Sequence, residues 1–190
     1  MVLRNPLSIQ SAIARAEAEV ARQRAPRRLT AKFLVTAAAL SAVVAGSVIA
    51  LTSRFSLAIA TQESLCLPPY RVWVIDKSDR EPVRGDIFAF KSQGLSPLFV
   101  DGTTVVKVLK GMPGDSVSVG LSETSINGQV VANGLDVAAQ YGIDPARYVR
   151  STTIGTDRFW FFGETADSFD SRYWGSAGSE QIMGKAYPIW

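Results

Sequence analysis

The chain has 190 residues, room for one modest domain plus appendages, and 20 Lys/Arg against 17 Asp/Glu give a formal charge of +3. It contains no histidine and one cysteine. Those counts exclude a Ser-His-Asp triad, a Cys-His pair, histidine-ligated metal sites, an internal disulfide and a cysteine zinc site, and they leave lysine as the obvious side chain that could deprotonate a hydroxyl or thiol.

The charge is unevenly spread. Residues 1–32 carry Arg4, Arg15, Arg22, Arg24, Arg27, Arg28 and Lys32 against Glu17 and Glu19, a balance of +5 that leaves −2 for the remainder. Basicity therefore belongs to the tail, and no nucleic-acid role follows for the body. Within the tail, residues 8–24 have helical character. Ser8 can cap, Ile9, Ile13 and Val20 lie roughly on one stripe, Arg15 and Glu19 sit four apart, and Pro26 ends the pattern. A solvated or membrane-surface helix is expected there.

Phe33 to Ser53 is an uncharged run, and about twenty helical residues cover the roughly 30 Å hydrocarbon core. The basic residues ahead of it, against Arg54 alone just after it, put the N-terminus in the cytoplasm and the body in the periplasm, beside a bacterial inner membrane. A cleaved signal peptide is the rival reading, and the long basic lead and the length of the run favour a retained anchor. The expected organisation is a cytoplasmic segment at 1–32, a transmembrane helix at 33–53 and a periplasmic domain at 54–190.

Leu57 to Tyr70 reads as the entry into that domain, Arg71 to Ile75 as a strand, Asp76 to Arg84 as a polar turn, Gly85 to Phe90 as a second strand and Lys91 to Pro97 as a loop. Phe99 onward leads into a strand that alternates Val105, Lys107 and Leu109 with Val106, Val108 and Lys110, before Gly111, Pro113 and Gly114 turn the chain. A lysine among apolar neighbours on a buried face is costly as a cation, which makes a neutral amine available as a general base. Taken alone, the stretch also suits a lysine whose head reaches the surface. Ser116 to Val131 reads as a hairpin with Asn127-Gly128 as its turn, Gly134 to Arg150 as irregular with a short helix, Arg158 to Phe162 as an aromatic strand, Gly163 to Gly178 as loop and Gln181 to Trp190 as a last strand. Short strands with Gly, Pro and Asn turns indicate a mainly β, antiparallel domain.

Four segments, in order, resemble the signal peptidase I (S26) family of membrane-bound Ser/Lys peptidases: Gly85-Asp-Ile-Phe-Ala-Phe90, Val106-Lys-Val-Leu-Lys-Gly-Met-Pro-Gly-Asp115, Ile126-Asn-Gly128 and Asp167-Ser-Phe-Asp-Ser-Arg-Tyr-Trp-Gly175, followed by Gln181-Ile-Met-Gly-Lys185. The short spacing between the lysine segment and the last box, with the ending Tyr187-Pro-Ile-Trp190, looks most like the TraF-type conjugal transfer peptidases. Those process a pilin precursor, and some close the trimmed pilin into a ring. The resemblance implies a signal-peptidase-like β domain behind one anchor, Lys107 as the base, and Ser168 as the hydroxyl that orients its amine. It makes Asp170 and Arg172 a structural ion pair and implies no metal or organic cofactor.

At the nucleophile the chain departs from the family pattern. Ser64-Leu-Cys-Leu-Pro68 permits Cys66 as nucleophile, with Pro68 at the TraF spacing and Ser64 as the upstream hydroxyl assisting the oxyanion. It also permits Ser64 as nucleophile, with Cys66 as a small apolar neighbour and the proline farther away than the pattern has it. Spacing favours Cys66, and residue type in the family favours Ser64. A buried, inert cysteine is the plain alternative. Trp160, Phe161, Tyr173 and Trp174 read as core or membrane-facing surface. An extended precursor peptide is expected along a strand edge near Pro68 to Val74. The partners this implies are the membrane, a pilin-like or secreted precursor and other conjugation or secretion components. A general signal peptidase of reduced size and a non-catalytic subunit of an envelope machine are the competing readings.

Overall fold

The computed structural model describes residues 6–24, 29–95 and 99–189, and the chain divides into two units, residues 1–47 and 48–190. The first unit contains helix α1 (Pro6–Arg24), whose side chains from residue 10 to 23 are exposed. Pro26, expected to end it, lies outside the described residues. Helix α2 (Ala31–Arg54) is long and apolar enough to cross a membrane, and none of its residues is buried. Three of its hydroxyls bond back along the helix: Thr36, Ser47 and Thr52 each donate to the carbonyl four residues back at 2.9 Å.

The second unit is built from β1 (Phe55–Ile59), β2 (Val72–Asp76), β3 (Ile87–Lys91), β4 (Thr104–Gly111), β5 (Ser116–Val119), β6 (Glu123–Ile126) and β7 (Gln129–Asn133). Helix α3 (Asp136–Gln140), β8 (Arg150–Thr153), β9 (Arg158–Phe162), α4 (Ser171–Trp174), β10 (Ala177–Gly178) and β11 (Ile182–Pro188) complete it. A seven-stranded sheet runs β1-β2-β11-β3-β4-β9-β10, and a four-stranded sheet runs β7-β6-β5-β8. Every pairing in both is antiparallel. The mainly antiparallel β architecture read from the turn pattern is the one observed.

Strand β4 lies inside the larger sheet, with β3 on one side and β9 on the other, so both faces of its apolar alternation are covered. Val105 and Leu109 join Phe88, Phe90 and Phe161 in one core cluster. Val108 and the half-buried Val106 join Leu67, Trp73 and Ile75 in another. A third core gathers Val117, Val119 and Ile126 with Trp160, Phe162 and Tyr173. Trp160, Phe161 and Tyr173 are therefore core, and Trp174 packs half-buried against two of the clusters.

Several expectations are corrected. The entry segment contains a strand, β1, because Phe55–Ile59 pairs along its whole length with β2; its apolar residues, running on from the helix with no breaker, gave no sign of it. Strand β2 has no free edge: β1 pairs along its whole length and β11 pairs with Trp73 to Asp76 on the other side. The edge expected near Pro68 to Val74 is closed, and the open edge on that side belongs to β1. The single hairpin at 116–131 is three strands, and β8, unforeseen, adds a fourth. Asn127-Gly128 does turn the chain between β6 and β7, with φ of 51° and 80° as a primed two-residue turn requires. The loop at 163–178 holds α4 and β10. Pro97 and Trp190 lie outside the described residues.

Candidate active site

Lys107 sits in mid-β4 opposite Phe88 and is 1 % exposed. Its Nζ donates to Ser168 Oγ at 2.7 Å, and Ser168 is fully buried. The partner is a neutral hydroxyl, so the amine is oriented by a group that does not require it to be charged. Lys110, the other lysine of the strand, differs. Its amine donates to the Val131 carbonyl at 3.1 Å and lies over the Phe162 ring.

Ser168 is held by a brace. Asp170 caps α4 through the Arg172 N–H and binds that guanidinium at 2.8 and 2.9 Å, with both residues at most 1 % exposed. Arg172 also donates to the carbonyls of Ser168 at 3.2 Å and Asn133 at 2.7 Å, and Asp170 accepts the Gly163 N–H at 3.2 Å. Burial pulls the Arg172 guanidinium down, but its hydrogen bonds and charge pairing with Asp170 outweigh this and leave it raised. The ion pair thus has its hydrogen-bonding capacity filled, as a buried pair must. Ser171 Oγ accepts the Phe161 N–H at 2.9 Å and ties the same segment to β9.

Residues 60–71 carry both candidate nucleophiles and form no helix or strand. Buried Leu67 plugs this segment into the core beside Trp73 and Ile75. The Cys66 carbonyl accepts the Glu164 N–H at 2.8 Å. Gly163 makes room for this approach, since a Cβ there would stand 2.2 Å from Ser168 Oγ and 3.0 Å from the Cys66 carbonyl oxygen. The Cys66 thiol is free and half-buried, and it lines a cleft together with Lys107, Gln62, Leu65, Tyr70 and Phe99. Ala58 and Ile59 of β1 and Thr104 to Val106 of β4 form its walls. Ser64 is exposed and lies outside that lining. Its hydroxyl donates to Asp167 Oδ2. That bond above all holds the Asp167 carboxyl below its usual range.

The structure therefore brings Lys107 and Ser168 into hydrogen bond and puts Lys107 and Cys66 on one cleft, while Ser64 faces a carboxylate. Sequence reasoning passed over Gln62, Gly163, Glu164 and Asp167. For Asp167 the available signal was its place beside Ser168 in the last box, but its partner lies 103 residues away. Among the described residues no group of three or more His, Cys, Asp or Glu could hold a metal ion.

The family model described as signal peptidase, peptidase S26, matches residues 27–190. The chain belongs to that family. It is 27% identical over 109 residues to a probable signal peptidase I-2 of Synechocystis sp., an alignment covering 57% of this chain and 48% of the relative. The chain thus spans about half the length of that curated relative. Among solved structures it is similar to a signal peptidase I from Enterococcus faecalis, with 25% identity, 56% of this chain and 97% of that chain covered, and a TM-score of 0.37.

Proposed function

We propose that this S26 protein is a membrane-anchored endopeptidase that cuts a secreted or pilin-like precursor, with Cys66 as nucleophile and Lys107 as general base. The observation that carries this reading is the buried Lys107 amine, hydrogen-bonded to Ser168 Oγ at 2.7 Å and lining the same cleft as the Cys66 thiol. Lys107 takes the thiol proton, the sulfur attacks the scissile carbonyl, and the lysine returns the proton to the departing amine. Water then cleaves the thioester, again deprotonated by Lys107. Ser168 orients the amine, and Asp170 and Arg172 keep Ser168 in place. The open edge of β1, at the wall of the cleft, accepts the extended precursor by strand addition.

Helix α2 confines enzyme and membrane-borne substrate to one plane, with the N-terminus cytoplasmic and the β unit periplasmic as the charge bias favours. The short course from Lys107 to Ser168 supports a TraF-type conjugation peptidase acting on a pilin. The similarity to the Synechocystis protein favours a second reading, a general signal peptidase of reduced size. Mass spectrometry of the product separates hydrolysis from ring closure, since a ring lacks one water relative to the trimmed linear chain.

Lys107→Met is the deciding variant. An unbranched apolar side chain suits the burial, so the protein is expected to accumulate and fold while processing falls by about 10³-fold or more. Normal maturation in cells carrying only this variant would instead make the protein a non-catalytic subunit of an envelope machine. Parallel Cys66→Ala and Ser64→Ala variants identify the nucleophile: loss confined to Ser64→Ala would transfer that role to the serine.

A further inference from the structure

A thiolate attacking a carbonyl drives negative charge onto the carbonyl oxygen, and the donors aimed at that oxygen set much of the rate. The sequence pattern assigns this assistance to the Ser64 hydroxyl. That hydroxyl carries one proton, and in the structure it is directed to Asp167 Oδ2. The Asp167 carboxylate, lowered by this bond, stays ionised at neutral pH and retains it. A different side chain donates to the sulfur. Gln62 Nε2 approaches Cys66 Sγ at 3.8 Å, and Gln62 lines the cleft shared by Cys66 and Lys107. The main chain at Gln62 is fastened too, since its carbonyl accepts from Arg71 Nη1 at 3.2 Å. A carboxamide N–H is among the donor types that serve oxyanion holes.

Taking the Cys66/Lys107 peptidase reading as its basis, we infer that Gln62 is a catalytic residue whose carboxamide N–H, together with the Cys66 backbone N–H, holds the oxyanion, while Ser64 and Asp167 act as a clamp that positions the nucleophile segment. In the first step the sulfur lone pair forms the S–C bond and the carbonyl π pair moves onto oxygen, where Gln62 donates. The pair then returns, the C–N bond breaks, and the amine leaves with the proton held by Lys107. The Ser64–Asp167 bond and the Glu164 N–H to Cys66 carbonyl bond join the two segments at residues 64 and 66.

The test uses the full chain in detergent micelles and the probe acetyl-Ala-Ala-Ala-aldehyde, which adds reversibly to a thiol and leaves its oxygen where the oxyanion forms. Protection of Cys66 from iodoacetamide, read as a mass shift, reports probe affinity. In the wild type the aldehyde protects. Gln62→Ala is expected to weaken protection by 10- to 100-fold and to lower kcat on a peptide with an alanine junction by about 10²-fold with KM little changed. Gln62→Glu preserves shape but lacks the N–H and is expected to lose at least as much, a result that a steric role would not produce. Ser64→Ala is expected to weaken protection less than tenfold. Wild-type affinity in Gln62→Ala, or a larger loss in Ser64→Ala than in Gln62→Ala, would overturn the inference while leaving the peptidase reading intact. Absence of protection in the wild type itself would overturn both.

Discussion

Strand β4 and the segment 60–71 meet at one cleft but are held in opposite ways. Strand β4 is paired on both sides, and buried apolar residues flank Lys107, so its amine is placed by backbone bonds and by a side-chain partner. The nucleophile segment has no strand partner. It is located by Leu67 in the core, by one backbone bond to Glu164 and by the Ser64–Asp167 contact. The difference teaches that the proposed base is a property of the sheet, whereas the proposed nucleophile is a property of the loop that leads into α4. That loop touches both: Ser168 meets the lysine and Glu164 meets the cysteine.

If that loop is the hinge of the arrangement, its brace is the place to break it hardest. Arg172→Met leaves Asp170 buried without its cation, and the expected loss is about 3–5 kcal/mol of stability, measured by denaturant unfolding, with activity lost through Ser168. Wild-type stability would mean the ion pair is dispensable.

Gly163→Ala sharpens the comparison, because its Cβ would press on Ser168 and on the Cys66 carbonyl together. Separating the two segments is expected to cost about 10²-fold in kcat, the scale on which small misplacement of reacting groups acts. Unchanged turnover would show that the two regions tolerate looser contact. Ser168→Ala removes the orienting hydroxyl but leaves the lysine, and a loss of about 10- to 100-fold is expected in kcat, with KM nearly constant.

The smallest effect concerns the turn after β4. Burial pushes the Asp115 carboxyl up, but bonds from Arg84, the Met112 N–H and Asn127 outweigh it and leave it lowered. A lowered carboxyl in the folded state means that the unfolded chain takes up its proton first as pH falls. Its contribution is therefore complete above the ordinary Asp range near ~4 and is lost as pH drops through the folded value. Asp115→Asn should narrow the fall in Tm between about pH 6 and pH 3, whereas an unchanged slope would locate the acid sensitivity elsewhere.

Much of the lysine side was legible beforehand. The alternation from Val105 to Lys110, the Asn127-Gly128 turn and the aromatic run from Arg158 to Phe162 are local patterns, and strand period and turn chemistry act within a few residues. Strand β1 was hidden because its apolar residues merge with the helix before it, and β8 because Arg150-Ser-Thr-Thr153 has no buried alternation to announce it. The free edge was misplaced for a related reason, since nothing near Val72 signals that β11, over a hundred residues later, closes it.

The linear order of residues by itself determined the apolar helix, the β class and the exclusion of histidine chemistry, because each depends on composition or on periodicity over a short span, whereas the preference for Lys107 over Lys110 rested on the family resemblance of residues 106–115. Only the tertiary structure decided that Ser64 turns to Asp167 and that Cys66 shares a cleft with the amine. Those pairings join side chains some forty to a hundred residues apart, and their geometry arises when the sheet closes and the last loop folds back over the nucleophile segment, a long-range packing outcome that no local pattern encodes.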